Sequence, residues 1–279
     1  MSLIKLPEIH ADQRLSATQF DVRPDALERW QPEVRAASDS DTSISIYDSI
    51  GETWDGAGVT AKRISAALRN IGARDVTVNL NSPGGDFFEG VAIYNLLRDH
   101  KAKVTVRVMG LAASAASVIA MAGDDILMGD GSFLMIHNAW ALAIGNRHDM
   151  QAAAAMLEPF DQAMAEVYAA RSGMKVAEIS ALMDKESWIN SSQAVADGFA
   201  TGVIEKAHTT KDTEASARRR AMAIAEASMA RAGHSRSARR DALKALTSGM
   251  PSAAETTTPS AGDTEAADLL RSLTNTLKG

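Results

Sequence analysis

Short runs rich in β-branched residues alternate with stretches of helical periodicity, and the connections between them are brief. Val76-Thr-Val-Asn-Leu80 and Val104-Thr-Val-Arg-Val-Met109 read as strands. Between them, Phe87 to His100 carries Val91, Tyr94, Leu96 and Leu97 on one side of a helix. Ser114 to Ala122 is small and apolar and reads as a second helix. Phe133-Leu-Met-Ile-His137 reads as a third strand. Strands joined through helices in this way run parallel, which predicts an α/β fold. Ser43-Ile-Ser-Ile-Tyr47 adds a strand ahead of this core, and Val59 to Ile71 a helix stopped by Gly72.

Asn138 to Arg147 is expected to form a strand and turn. Asp149 to Arg171 is a long Ala/Met/Leu-rich helix in which Pro159 predicts a kink or break. Met174 to Met183 reads as helix and Trp188-Ile189 as a short strand. Ser191 to Asp197 reads as a capped helix closed by Gly198, and Val203-Ile204 as a last strand. Residues 1–42 hold Pro7, Pro24, Pro32 and many charges, and predict an extended N-terminal arm. Residues 43–206 form the folded domain. Residues 207–279 are rich in Ala, Ser, Thr, Arg and Glu and predict a low-complexity, mostly disordered or helical tail. Helical patches are expected at 215–232 and 237–246. The Arg218-Arg219-Arg220 and Arg239-Arg240 clusters read as a solvated helix face rather than a site for an acidic partner.

Apolar residues make up 46% of the chain, enough for a sizeable core, and there is no cysteine for disulfide or thiolate chemistry. A net charge of −6 argues against a general nucleic-acid binder. No apolar run is long enough to span a bilayer, and Met1 to Asp12 has no signal-peptide core. The expectation is a cytoplasmic protein with no membrane or nucleic-acid partner.

Ser114 stands where a strand turns into a helix, with Gly110 ahead of it expected to take a turn closed to other residues. Ser114 can be an N-cap. It can equally be a nucleophile pushed out of the packed layer, beside the unpaired N–H groups and positive dipole of a helix N-terminus. His137 ends the next strand, and strand ends meet at the crevice of an α/β fold. It reads as a structural histidine or as the base that a serine needs for reactivity. Gly84-Gly85 reads as a turn or as bare backbone able to offer an oxyanion N–H. Ser117, one turn further on, is expected to pack. His10, His100, His148, His208 and His234 have no comparable company.

Asn81-Ser-Pro-Gly-Gly85, Gly110-Leu-Ala-Ala-Ser114 and Met135-Ile-His137, in this order and spacing, resemble the proteolytic subunit of the Clp protease. The closer resemblance is to its phage and prophage relatives, the Clp-like head maturation proteases, over roughly residues 43 to 205. The resemblance implies a serine peptidase on a crotonase-like spiral of βαβ units, assembled into rings, usually stacked, without a cofactor. It implies Ser114 as nucleophile, His137 as general base, and Gly85 and Ala115 as the oxyanion-hole residues. The acid falls a few residues before Asn190-Ser-Ser-Gln-Ala-Val-Ala-Asp-Gly198: Glu186 in an ungapped match, Asp184 if the spacing slips. The family's Pro and Gly pair after the histidine is replaced by Asn138-Ala-Trp140, which implies a different substrate preference. Asp149 to Arg171 corresponds to the protruding "handle" helix that packs rings together.

The first 42 residues do not look like the loops that dock an unfoldase ATPase, and no Walker-type loop occurs. ATP use would have to come from a partner that this reading does not require. The expected substrates are proteins, such as capsid or scaffold proteins, and activity is expected to fall as His137 protonates near its usual pKa of roughly 6.5. Two rivals keep the fold: a crotonase-like acyl-CoA enzyme, which does not need Ser114 and His137 together, and a non-catalytic capsid or scaffold component.

Overall fold

A computed structural model describes residues 22–36, 40–141, 143–204, 209–210 and 213–248. The first half of the expected arm, His10, His208 and the low-complexity stretch from Pro251 to Asp263 lie outside these residues. Contacts divide the chain into a main unit, Met1–Lys244, and a second beginning at Ala245. Of the second, only 245–248 are among the described residues.

The chain opens with α1 (Pro24–Arg29), β1 (Arg35–Ala36) and β2 (Ser43–Ile46). Then α2 (Ala61–Ile71), β3 (Val76–Ser82), α3 (Phe87–Arg98), β4 (Val104–Ala113) and α4 (Ala115–Ala120) follow in the expected alternation. β2, β3, β4 and β5 (Asp125–Met128) pair side by side, all parallel. β5 was unread in the sequence; its four residues show too little pattern to separate strand from loop. Thr60 accepts a capping bond at the start of α2, and Gly72 ends that helix at a φ of 71°. Asp86 caps α3 by accepting from the N–H groups of Phe88 and Glu89 at 3.0 and 3.2 Å.

β4 is longer than its sequence pattern predicted. It runs ten residues, through Gly110, and outlasts its neighbours. Its first half pairs with β3 and β5, and Leu111–Ala113 pairs in parallel with β6 (Phe133–Ile136). The register with β3 shifts between Leu80 and Ser82, where β4 leaves β5 and takes up β6. Gly110 is therefore a strand residue and not the expected turn. A Cβ there would sit 2.9 Å from Asn81 Oδ1. Asn81 is buried and fully employed: Oδ1 accepts from Leu111 N, and Nδ2 donates to the carbonyls of Gln31 and Val34. Its own carbonyl accepts from Trp30 Nε1 at 3.0 Å.

Beyond β6, residues 138–141 form no strand. The Ala139 N–H donates to Asp161 of α5 (Arg147–Ser172), which ties this segment down as coil. α5 stays a single helix across Pro159, so of the expected kink or break the break does not occur. The proline lies on the exposed side and removes one donor without ending the run. α6 (Val176–Asp184), β7 (Ser187–Asn190), α7 (Ser191–Ala196) and β8 (Gly202–Val203) follow. β7 pairs antiparallel with β6, and β8 parallel with β5. β9 (Thr209–Thr210) pairs antiparallel with β1.

The ends of the chain depart most from expectation. α8 (Thr213–Arg231) and α9 (Arg236–Ser248) fall close to the two predicted patches, but they are packed rather than transient. Ala227 of α8 is buried with Leu27 and Trp30 against Leu111, Ala113 and Met135. The arm is thus not extended over 24–30; it is a helix with a buried tryptophan. The arginine clusters are solvated only in part: Arg218 and Arg240 are exposed, while Arg219 and Arg220 are half-buried. Arg219 pairs with Asp48 at 3.7 Å and Arg240 with Glu52 at 3.9 Å, Arg220 donates to the Glu28 carbonyl, and Arg239 is 1% exposed. Acidic and carbonyl groups of the same chain take up part of the Arg219, Arg220 and Arg240 donors once α8 is held by its alanine face.

Trp30→Ala removes a side chain that is 1% exposed together with its hydrogen bond to Asn81. It is expected to cost about 3–5 kcal/mol in chemical denaturation. A loss of under about 1 kcal/mol, the scale of an exposed site, would show that this layer is not part of the cooperative unit.

Candidate active site

β4 ends at Ala113, and the next residue, Ser114, adopts φ 55° and ψ −126°. Among the described residues only one other non-glycine residue has positive φ, Glu186 at 51°. Such backbone costs on the order of 1–3 kcal/mol and persists only where the surroundings over-determine it. At Ser114 they do. Its N–H donates to the Met135 carbonyl at 2.9 Å, and its carbonyl accepts from Ser117 N at 2.9 Å and Ser117 Oγ at 2.6 Å. Ser117 is fully buried and shares a 2.8 Å hydrogen bond with the Tyr168 hydroxyl of α5, so it packs as expected. The Ser114 side chain makes no capping bond, and the N-cap alternative is not realised.

Glycine lets the next wall close in. A Cβ on Gly84 would stand 2.7 Å from Ser114 Cβ and 2.5 Å from the Ala113 carbonyl. A Cβ on Gly85 would fall 2.2 Å from the Ile50 carbonyl. The Gly84 carbonyl accepts from Ile50 N, and Ile50 O accepts from Asp86 N, fixing the pair's direction. The N–H groups of Gly85 and Ala115 donate to nothing among the described residues.

His137 follows β6, which lies beside the end of β4. Ser114, Ala115, Gly85 and His137 line one cavity of about 20 Å³, walled also by Phe87, Trp140 and Met164. That is room for about one water molecule. A larger cavity of about 320 Å³ begins at the other side of Gly85, between the loop around Trp54 and helices α8 and α9. The imidazole is 5% exposed. Burial first, then the Arg23 guanidinium, push its pKa from 6.5 down to about 4, while the Glu186 carboxylate and a backbone hydrogen bond at Asn138 pull the other way. The expected titration near 6.5 is corrected accordingly.

The two acid candidates are both engaged elsewhere. Arg23 grips Glu186 with both Nη groups, Nη2 to Oε2 at 2.7 Å and Nη1 to Oε1. Asp184 accepts from Asn138 Nδ2 at 2.8 Å. Neither carboxylate hydrogen-bonds His137 among the described residues. Arg23 was invisible in the sequence, since it comes from the supposed arm. No described group of His, Asp and Glu is arranged to hold a metal, and no described helix is long and apolar enough to cross a membrane.

A family model described as Clp protease matches residues 34–207. The chain belongs to the Clp protease family. The ATP-dependent Clp protease proteolytic subunit of Ligilactobacillus salivarius is 31% identical over 134 residues, spanning 47% of this chain and 68% of that protein. Proteolytic subunit 2 of Rhodococcus jostii is 30% identical over 137 residues, spanning 48% of this chain and 70% of that protein. Among solved structures, a point mutant of ClpP1 from Listeria monocytogenes aligns with a TM-score of 0.49 at 23% identity, over 60% of this chain and 92% of that one. The structure has the mixed α/β fold with a parallel central sheet that the sequence pattern predicts. The family match begins after α1 and ends before α8, so these helices lie outside it.

His137 folded neutral binds fewer protons than His137 unfolded between about pH 4 and pH 6.5. Its contribution to stability is therefore fully present above 6.5 and is lost as pH falls toward 4. NMR titration of His137 should give a midpoint near 4, and His137→Gln should remove about 3 kcal/mol of acid destabilisation across that window. A midpoint above 6 would mean the site is open to water.

Proposed function

We propose that the chain is a serine endopeptidase of the Clp type. Ser114 Oγ attacks the peptide carbonyl, and His137 takes its proton and returns it to the leaving amine. Glu186 steadies the imidazolium, with Asp184 as the alternative, and the Gly85 and Ala115 N–H groups receive the developing oxyanion. The observation that carries this reading is the single cavity shared by Ser114, His137, Gly85 and Ala115, with Ser114 on left-handed backbone at the head of a helix. Two unspent N–H groups beside a half-exposed serine favour acyl chemistry over a capping role.

The proposed peptidase domain spans 43–206. Ring assembly is the second part of the proposal. α5 buries its second half, from Phe160 on, but leaves most of its first half exposed; Met150 is 39% exposed, and Ile144 just before the helix 82%. A helix half of this composition, Ala-rich with exposed Met, suits a helix-on-helix seam with another copy. A phage or prophage head-maturation role, with capsid or scaffold proteins as substrates and no obligatory ATPase, is supported by the resemblance of the three sequence motifs.

Ser114→Ala should lower peptide cleavage by at least about a thousandfold while assembly size is unchanged, and a fluorophosphonate should label Ser114 in the unaltered chain. Undiminished cleavage by the variant sinks the assignment. An unlabelled Ser114 together with binding of a CoA ester favours the acyl-CoA reading.

A further inference from the structure

Outside residues 34–207, α1 and α8 form one layer on the candidate site's flank. Leu27, Trp30 and Ala227 pack against Ala113, which precedes Ser114, and against Met135, which accepts the Ser114 N–H. The same layer holds the strand that follows the acid. The Arg29 guanidinium lies 4.1 Å from the Trp188 ring centroid, and Arg23 grips both oxygens of Glu186.

We infer that Arg23 is a positioning residue that holds the Glu186 carboxylate away from His137 and so keeps the triad open. This rests on the reading of Ser114, His137 and Glu186 given above. A triad acid accepts from the imidazole N–H and faces the cation formed during attack. Here both of its oxygens are taken by a guanidinium fork, whose geometry matches a carboxylate two bonds at a time. The guanidinium also brings positive charge to the very group that must become positive. Charged groups about the imidazole are Arg23, Asp25 of α1 and Glu186. Asp25 is itself held by Arg23 Nε at 2.9 Å. The other cavity walls, including Gly85, Phe87, Ala115 and Met164, are uncharged. Of the three charged groups, Arg23 alone opposes protonation of His137.

The latch is built to open. The Glu186 side chain is 46% exposed against 16% for Arg23, so the carboxylate side of the pair faces solvent. Moving α1, through assembly, substrate entry or cutting of the arm, would free the carboxylate. Glu186 sits just ahead of β7, which pairs with β6 and hence lies alongside the strand leading to His137.

The test uses the full chain and two readouts: fluorophosphonate labelling of Ser114 and peptide cleavage, each followed from about pH 3 to pH 8 to trace the acid limb. Arg23→Gln should raise both rates by roughly tenfold, since an aligned acid is worth far more than that. It should also move the acid limb upward by roughly one pH unit, because losing a cation and gaining a facing carboxylate both favour imidazolium. Arg23→Lys, which keeps charge without the fork, should fall between. Adding Glu186→Gln to Arg23→Gln should abolish the gain. Unchanged rates in Arg23→Gln, or an equal gain in the double variant, overturn the latch while leaving the peptidase reading intact if Ser114→Ala is silent. A fall in rate with an unmoved acid limb also overturns it, marking Arg23 as a prop for the fold. Labelling and cleavage that persist in Ser114→Ala remove the reading and the latch together.

Discussion

A methyl group missing at residue 84 is the condition on which the site depends. With a Cβ there, the loop after β3 would collide with the Ala113 carbonyl and with Ser114 itself. Because it is absent, two chain segments lie against each other at a separation no other residue permits. Ser114 is then held in its costly conformation from both sides: by Met135 through the N–H and by Ser117 through the carbonyl. The Tyr168 hydroxyl extends this chain into α5, and burial of Met135, Ser117 and Tyr168 strengthens each bond while making any gap expensive. The helix whose first half is largely exposed is thus joined by hydrogen bonds, through its second half, to the backbone of the candidate nucleophile.

The same logic explains how material outside the family-matched region is attached. Asn81 bonds β4 at Leu111 and receives the 30–34 segment through both its side chain and its carbonyl. Burying so polar a residue is acceptable only because each of its groups finds a partner. α8 then covers Trp30 with alanines, which allow close helix approach, and its arginines reach acids and carbonyls at the rim. The apolar contact fixes where the layer sits, and the ion pairs at half-exposed positions add direction more than strength.

What was legible in the sequence divides along a physical line. β3, β4, α3, α4 and β6 were readable because period and propensity are local properties, and both were strong between 76 and 137. Ser114, His137 and Gly85 could be singled out because topology places strand ends together. The length of β4 and the role of Gly110 were not legible because each is decided by a neighbour distant in sequence: Asn81 against Gly110, β6 against the end of β4. α1 was lost among prolines and charges, although its tryptophan becomes one of the most buried side chains in the chain. The Arg23–Glu186 pair spans 163 positions and leaves no local signature at all. Nor could the sequence reveal how far the imidazole is buried, and burial is the first cause of its lowered pKa.

That burial changes which event limits the chemistry. At neutral pH the imidazole is deprotonated whether its pKa is 6.5 or about 4, so its readiness to accept a proton is not in question. The difference appears after the proton arrives, when the cation is less stable by about 3 kcal/mol than it would be in water. In a triad, that deficit is what a facing carboxylate offsets. Under the proposed latch, the longer glutamate stem, a drawback if the acid had to sit close beneath the ring, would suit a carboxylate that moves between a guanidinium and an imidazole. Position rather than identity of the acid then governs whether a sealed histidine can work as a base.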